Sequence, residues 1–132
     1  MLSLSIRILL VEDDPLHARM VTAACGVEPH GPAWAQPEMN VTHVSTVAGP
    51  ARIFAECAFD VLLLDLGLPD SSGLDGYHRL RAVNRVVPIV VLTAKESDEV
   101  CLAALRAGAA SYLVKQRTAG PELRATIGRI WQ

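Results

Sequence analysis

The chain has no stripe of lysine and arginine, no cysteines at metal-ligating spacing and no apolar run long enough to span a membrane. Each absence excludes something. With 12 basic against 14 acidic residues the formal net charge is −2, and nothing favours direct binding of nucleic acid. Cys25, Cys57 and Cys101 form no C-x-x-C pattern, so they read as free buried thiols of a reducing compartment. The opening "MLSLSIRILLVEDD" has too short an apolar part for a signal peptide and lacks a cleavage-like site. A soluble, cytoplasmic protein with no membrane contact is expected. There are no internal repeats and no low-complexity tract. A length of 132 residues fits one domain with a proper core.

What is present is a rhythm. Five short apolar runs stand out: Ile6–Val11, Val41–Val44, Val61–Leu64, Ile89–Leu92 and Tyr112–Val114. All but the second and last are nearly continuous, as strands covered on both faces should be. Helical segments are expected between and after them, at Pro15–Ala24, Pro50–Ala58, Ser72–Val83, Ser97–Ala107 and Pro121–Trp131. Asp14 is the N-cap candidate of the first, ahead of Pro15. Gly108 stands where it can stop the fourth. Leu123, Ile127 and Ile130 give the fifth an apolar face. Alternating strands and helices imply parallel strands with right-handed crossovers. The expected fold class is α/β: a doubly wound, flavodoxin-like sheet of five parallel strands, order 2-1-3-4-5, flanked by five helices. One stretch breaks the rhythm. "GVEPHGPAWAQPEMN", residues 26–40, is far longer than the usual connection of roughly 2–6 residues. Its prolines argue against a continuous helix. Trp34 is expected to dock it on the body or offer it to a partner, a packed loop being favoured. His17, His30, His43 and His78 read as solvated side chains rather than ligands.

The chemistry lies at the strand ends. Ligands of such sheets sit beyond the C-terminal ends of the strands, where strand order reverses. Strand 1 runs into Glu12, Asp13 and Asp14; strand 3 into Asp65; strand 4 into Thr93; strand 5 into Lys115. Carboxylates crowded into one crevice repel and raise one another's pKa. A hard divalent cation with oxygen ligands relieves that, and magnesium does so while keeping several waters. Lys115 adds a second positive charge. Such an array suits the meeting of a metal ion and a phosphoryl group, and a carboxylate can itself be the nucleophile. Taken singly, each residue has a plainer reading as a helix cap, a turn acid or a solvated lysine. Their co-occurrence at equivalent strand ends tips the balance.

The segments "ILLVEDDPL", "DVLLLDLGLPDSSGLDG", "PIVVLTAKES" and "AGAASYLVK" closely resemble the receiver domain of bacterial two-component response regulators. They occur in the family's order and span nearly all of the chain, read as one domain over residues 1–132. The resemblance implies a phosphorylation-controlled module of a two-component or phosphorelay system. In it Glu12 and Asp13 hold Mg2+ together with Asp65 and the backbone carbonyl of Gly67. Asp65 accepts a phosphoryl group from a phosphohistidine. Thr93 and Lys115 bind that group, Thr93 and Tyr112 act as the switch, and Gly67 and Lys95 flank the approach of hydrolytic water. The implied partners are a histidine kinase or histidine phosphotransfer protein, with an effector or a second copy reading the surface of the fourth helix, fifth strand and fifth helix. Such a chain is a phosphoacceptor rather than a turnover enzyme. It stands alone or is part of a larger regulator such as a hybrid kinase, a transcription factor or a cyclic-dinucleotide enzyme. One departure is Gln116, where the family usually has proline after the lysine; a trans bond and an altered entry to the last helix are expected. The enzyme alternative is a phosphatase of the haloacid dehalogenase type. It needs a second aspartate two residues after Asp65, where Gly67 stands instead, and the chain leaves no room for a cap domain.

Overall fold

The structure is a computed structural model and describes residues 5–26, 38–48, 53–54 and 58–131. Within these, the elements run β1 (Ser5–Val11), α1 (Pro15–Gly26), β2 (Glu38–Val44), β3 (Val61–Leu64), α2 (Asp75–Val83), β4 (Ile89–Thr93), α3 (Asp98–Arg106), β5 (Ser111–Val114), a 3-10 turn (Lys115–Arg117) and α4 (Gly120–Trp131). The helix expected at 50–58 falls largely outside the described residues, as do residues 27–37 with Trp34 and His30. The expected third, fourth and fifth helices are α2, α3 and α4.

The strands form one parallel sheet in the order β2-β1-β3-β4-β5. That is the expected topology, and the burial of the strands follows it. Every residue of β3 and β4 is buried, while the edge strands β2 and β5 hold no fully buried residue. Alternate side chains of the central strands feed two cores. Ile6, Ile8, Leu10, Leu63, Val90 and Leu92 pack with Ala18, Val21 and Cys25 of α1 and Leu123 and Ile127 of α4. Leu9, Val11, Leu62, Leu64 and Val91 pack on the other side with Phe54, Tyr77, Leu80 and Ala104. The two-residue period of a strand thus sorts one sequence into two apolar layers.

Most element boundaries differ from the sequence reading, many of them by a residue or two, and three of the differences have a local reason. β2 begins at Glu38 rather than Val41, because its pairing with β1 extends back to Ser5↔Glu38. α2 begins at Asp75 rather than Ser72, because Gly73 is left-handed (φ 54°) and cannot continue a helix. β4 takes in Thr93, which pairs with Val114. Asp14 and Gly108 behave as read, and Ser97, read as the first helical residue, proves to be a cap. Asp14 accepts from the Leu16 N–H at 3.0 Å, Ser97 accepts from the Val100 N–H at 3.2 Å, and Gly108 (φ 106°) follows α3. Tyr77, wholly buried, donates its hydroxyl to the Ala107 carbonyl at 3.1 Å and ties α2 to the end of α3. Arg124 of α4 donates to the Cys25 carbonyl, satisfying the open end of α1.

Leu63 is completely buried at the centre of the sheet, and Val86 is 87% exposed. Leu63→Ala is expected to cost about 2–5 kcal/mol of stability, from lost transfer energy plus the cavity left behind. Val86→Ala should stay within ~0.5 kcal/mol of the parent. Urea denaturation measures both, and equal midpoints would contradict the burial assignment.

Candidate phosphoryl and metal site

Parallel register brings the site together. Val11 is level with Leu64, and Leu64 with Val91. The next residues of β1 and β3 are therefore Glu12 and Asp65, side by side beyond the strand ends. Both continue the alternation of Leu10 and Leu63 toward the side covered by α1 and α4. Glu12 is 1% exposed and Asp65 5%. Ligand oxygens of Glu12, Asp13 and Asp65 lie within 4.8 Å of one another. They line a crevice of about 530 Å³, together with Asp14, Gly67, Thr93, Lys95 and Lys115.

The buried charges are paired, as burial demands. Lys115 bridges both acids, its Nζ lying 2.6 Å from Glu12 Oε2 and 3.1 Å from Asp65 Oδ2. The Gly67 N–H donates to Asp65 Oδ1 at 3.0 Å, and the Asp14 N–H to Glu12 Oε1 at 3.1 Å. Burial works against ionisation of both carboxyls, but with different outcomes. For Asp65 it is outweighed by the Gly67 N–H, Glu12 and Lys115, which hold its pKa below the ordinary value. For Glu12, burial and the neighbouring Asp65 prevail over Lys115 and the Asp14 N–H, and its pKa rises. Burial also depresses Lys115, yet its two carboxylate partners outweigh that and raise it. The site therefore pairs a buried acid whose ionised form is favoured, Asp65, with a cation already at its side.

The remaining site residues fall where the sequence put them. Thr93 ends β4, is 2% exposed and accepts from the Lys95 N–H at 3.3 Å. Tyr112 packs partly against the core and donates its hydroxyl to the Lys95 carbonyl at 2.7 Å. Gly67 faces Asp65: a Cβ added there would lie 3.6 Å and 3.7 Å from the two Asp65 oxygens. Gln116 follows Lys115 through a trans bond, and its side-chain amide donates to the Ala94 carbonyl at 3.3 Å. With the Arg117–Glu96 ion pair at 2.5 Å, residues 94, 95 and 96 are each gripped by a residue of the fifth-strand side. Asp70 anchors the loop after β3, accepting from the N–H groups of Val47 and Ala48 at 3.2 and 3.1 Å.

One histidine corrects the sequence reading, and the exposed His43 adds a backbone contact to it. His17 is not simply solvated: its Nδ1 is 3.1 Å from Glu12 Oε2, and its side chain is 18% exposed. His43 Nε2 lies 2.6 Å from the Glu12 carbonyl. His78 is exposed, as read. Only the placement of His17 in the first turn of α1, just after the acidic pair, hinted at its contact. Of the cysteines, Cys25 is buried and burial pushes its thiol up to about 11, whereas Cys101 is only partly covered. Cys57 lies outside the described residues. Among the described residues no helix is long and apolar enough to cross a membrane.

A doubly wound sheet with acids at its topological switch point and a lysine across the crevice is an α/β module with a charged ligand crevice. Residues 8–127 match the response regulator receiver domain, and the chain belongs to that family: it is a phosphorylation-controlled module of two-component signalling. It is 36% identical over 110 residues to the probable transcriptional regulatory protein TcrX of Mycobacterium tuberculosis, covering 83% of this chain and 43% of TcrX. The chain spans about half the length, or less, of the curated relatives it matches first. Its fold is that of the signal receiver domain of a LuxO repressor protein from Vibrio parahaemolyticus (TM-score 0.81, 23% identity, 97% of this chain and 91% of that one). The BeF3-activated DrrB receiver domain is also similar (TM-score 0.75, 24% identity, 96% and 97%).

Proposed function

We propose that Asp65 accepts a phosphoryl group from a phosphohistidine of a partner kinase or phosphotransfer protein, and that the acceptor site uses Mg2+. The observation that carries the proposal is the convergence of Glu12, Asp13 and Asp65 within 4.8 Å, with Lys115 on two of them. The donor set fits the metal: three carboxylates supply hard oxygen ligands on one open side of a crevice, and the Gly67 carbonyl is the further candidate. Mg2+ there supplies charge neutralisation for the phosphoryl oxygens and leaves proton chemistry aside.

The chain's own residues do the rest. An ionised Asp65 oxygen attacks phosphorus in line with the donor imidazole; the O–P bond forms as the N–P bond breaks, and the bonding pair leaves on the imidazole nitrogen. Lys115, already beside Asp65, faces the charge on the phosphoryl oxygens without reorganisation. The Thr93 hydroxyl donates to a phosphoryl oxygen. Because residues 94–96 are tied to Gln116, Tyr112 and Arg117, movement at Thr93 is passed to β5 and the surface formed with α3 and α4. An effector or second copy reads that surface. BeF3 activation of the DrrB domain supports the choice of a phosphoryl mimic for testing. Acetyl phosphate with magnesium should give one phosphoryl adduct, and a generic phosphomonoester should not be turned over. Steady release of phosphate from that ester would instead mark a phosphatase.

Signal lifetime follows from the two positions beside the acceptor. Gly67 has no side chain to orient water. Lys95 lines the crevice and offers only donors, so it is no base while charged. An adduct lasting minutes or longer, without a partner phosphatase, is expected. Lys95→Gln should shorten it several-fold. Phosphate release from the wild type, Lys95→Ala and Lys95→Gln decides; a lifetime of seconds, or three equal rates, would sink the expectation.

A further inference from the structure

We propose that His17 is a positioning residue that holds the Glu12 carboxylate from a fixed point on α1, so that Lys115 is free to serve the phosphoryl group on Asp65. The inference rests on the receiver reading of the site. Glu12 is 1% exposed, and every donor it lacks is costly at such burial. Three donors meet its side chain. The Asp14 N–H holds Oε1, while Oε2 is shared by Lys115 at 2.6 Å and His17 Nδ1 at 3.1 Å.

These donors are not equivalent. The Asp14 N–H and His17 sit on fixed elements: the turn into α1 and the helix's first turn. Lys115 is the mobile one, a compact charge on a four-carbon stem, and it is already divided between Glu12 and Asp65. Adding a phosphoryl group to Asp65 draws the ammonium toward the new negative oxygens. Without His17, that shift would strip Oε2 of its donor inside a buried site. Glu12 would then compete for the lysine. With His17 in place, Oε2 keeps a donor throughout. An ionised carboxylate offers only acceptors, so Nδ1 carries the hydrogen in this contact whatever the state of the other nitrogen. The plainer alternative is that His17 merely adds a surface hydrogen bond and a little stability.

The two accounts part on atoms and on coupling. Asparagine places a side-chain N–H the same number of bonds from Cα as Nδ1; glutamine does not. With magnesium present, His17→Ala should bind beryllofluoride roughly tenfold more weakly, as for loss of a supporting partner at a metal site. His17→Asn should restore much of that and His17→Gln less. In a Glu12→Ala background His17→Ala should add nothing, since its effect runs through that carboxylate. Nitrogen NMR of the wild type without metal should find the hydrogen on Nδ1. Wild-type affinity in His17→Ala, an undiminished effect without Glu12, no rescue by asparagine, or a neutral ring with bare Nδ1 would each overturn the proposal. Failure of the receiver reading looks different: the wild type itself would take neither beryllofluoride nor a phosphoryl group.

Discussion

Asp65→Asn is expected to abolish phosphoryl uptake from acetyl phosphate, while Glu12→Gln and Asp13→Asn only slow it. The reason lies in how each carboxyl is engaged. Both Glu12 side-chain oxygens already hold protein donors, and the residue is 1% exposed. Asp65 is held ionised by the Gly67 N–H, Glu12 and Lys115 against its burial, so the reactive form dominates at neutral pH. An amide oxygen keeps the shape but loses the nucleophile. Intact-mass measurement after acetyl phosphate treatment reads the result. An adduct on Asp65→Asn as abundant as on the wild type would remove Asp65 from the mechanism.

The second large effect separates two neighbouring aspartates. Asp13 shares the candidate metal cluster with Glu12 and Asp65. The Asp14 carboxylate instead accepts the Leu16 N–H, and its carbonyl accepts from Ala18 at 2.9 Å, as a helix cap does. Asp13→Ala should therefore weaken magnesium binding by at least roughly tenfold, the lower range for a merely supporting residue. Asp14→Ala should leave affinity close to the parent and cost about 0.5–2 kcal/mol of stability. Calorimetric metal titration and thermal melting would be run on both. Equal losses of affinity would refute the division of labour.

The strands that matter most were plain in the sequence because they are covered on both faces. Val61–Leu64 is a continuous apolar run, and its bounds and its terminal acid followed directly. β2 was harder to read. As an edge strand it carries Glu38, Asn40, Thr42 and His43 between half-buried Met39, Val41 and Val44, and its start depends on pairing with β1. The acids, Thr93 and Lys115 were legible because they follow strands, and parallel register converts that into proximity. The contacts of His17 and Gln116 were not. They join groups 5 and 22 positions apart, and only the tertiary arrangement decides whether such side chains meet.

The alignment of Val11 with Leu64 makes the aim of the site depend on the length of β1 and β3 more than on which apolar residues fill them. A conservative swap inside β3, such as leucine to isoleucine, leaves Asp65 aimed as before. Removing one residue between Val61 and Leu64 turns the next side chain to the opposite face, because a strand's period is two. Asp65 would then point toward the layer of Tyr77 and Leu80, away from Glu12 and Lys115. A library of single-codon deletions should therefore draw a hard boundary around β1 and β3 that a library of point substitutions would blur. In that sense the two strands act as a ruler, counting off the distance at which the Asp65 carboxylate meets Glu12 and Lys115.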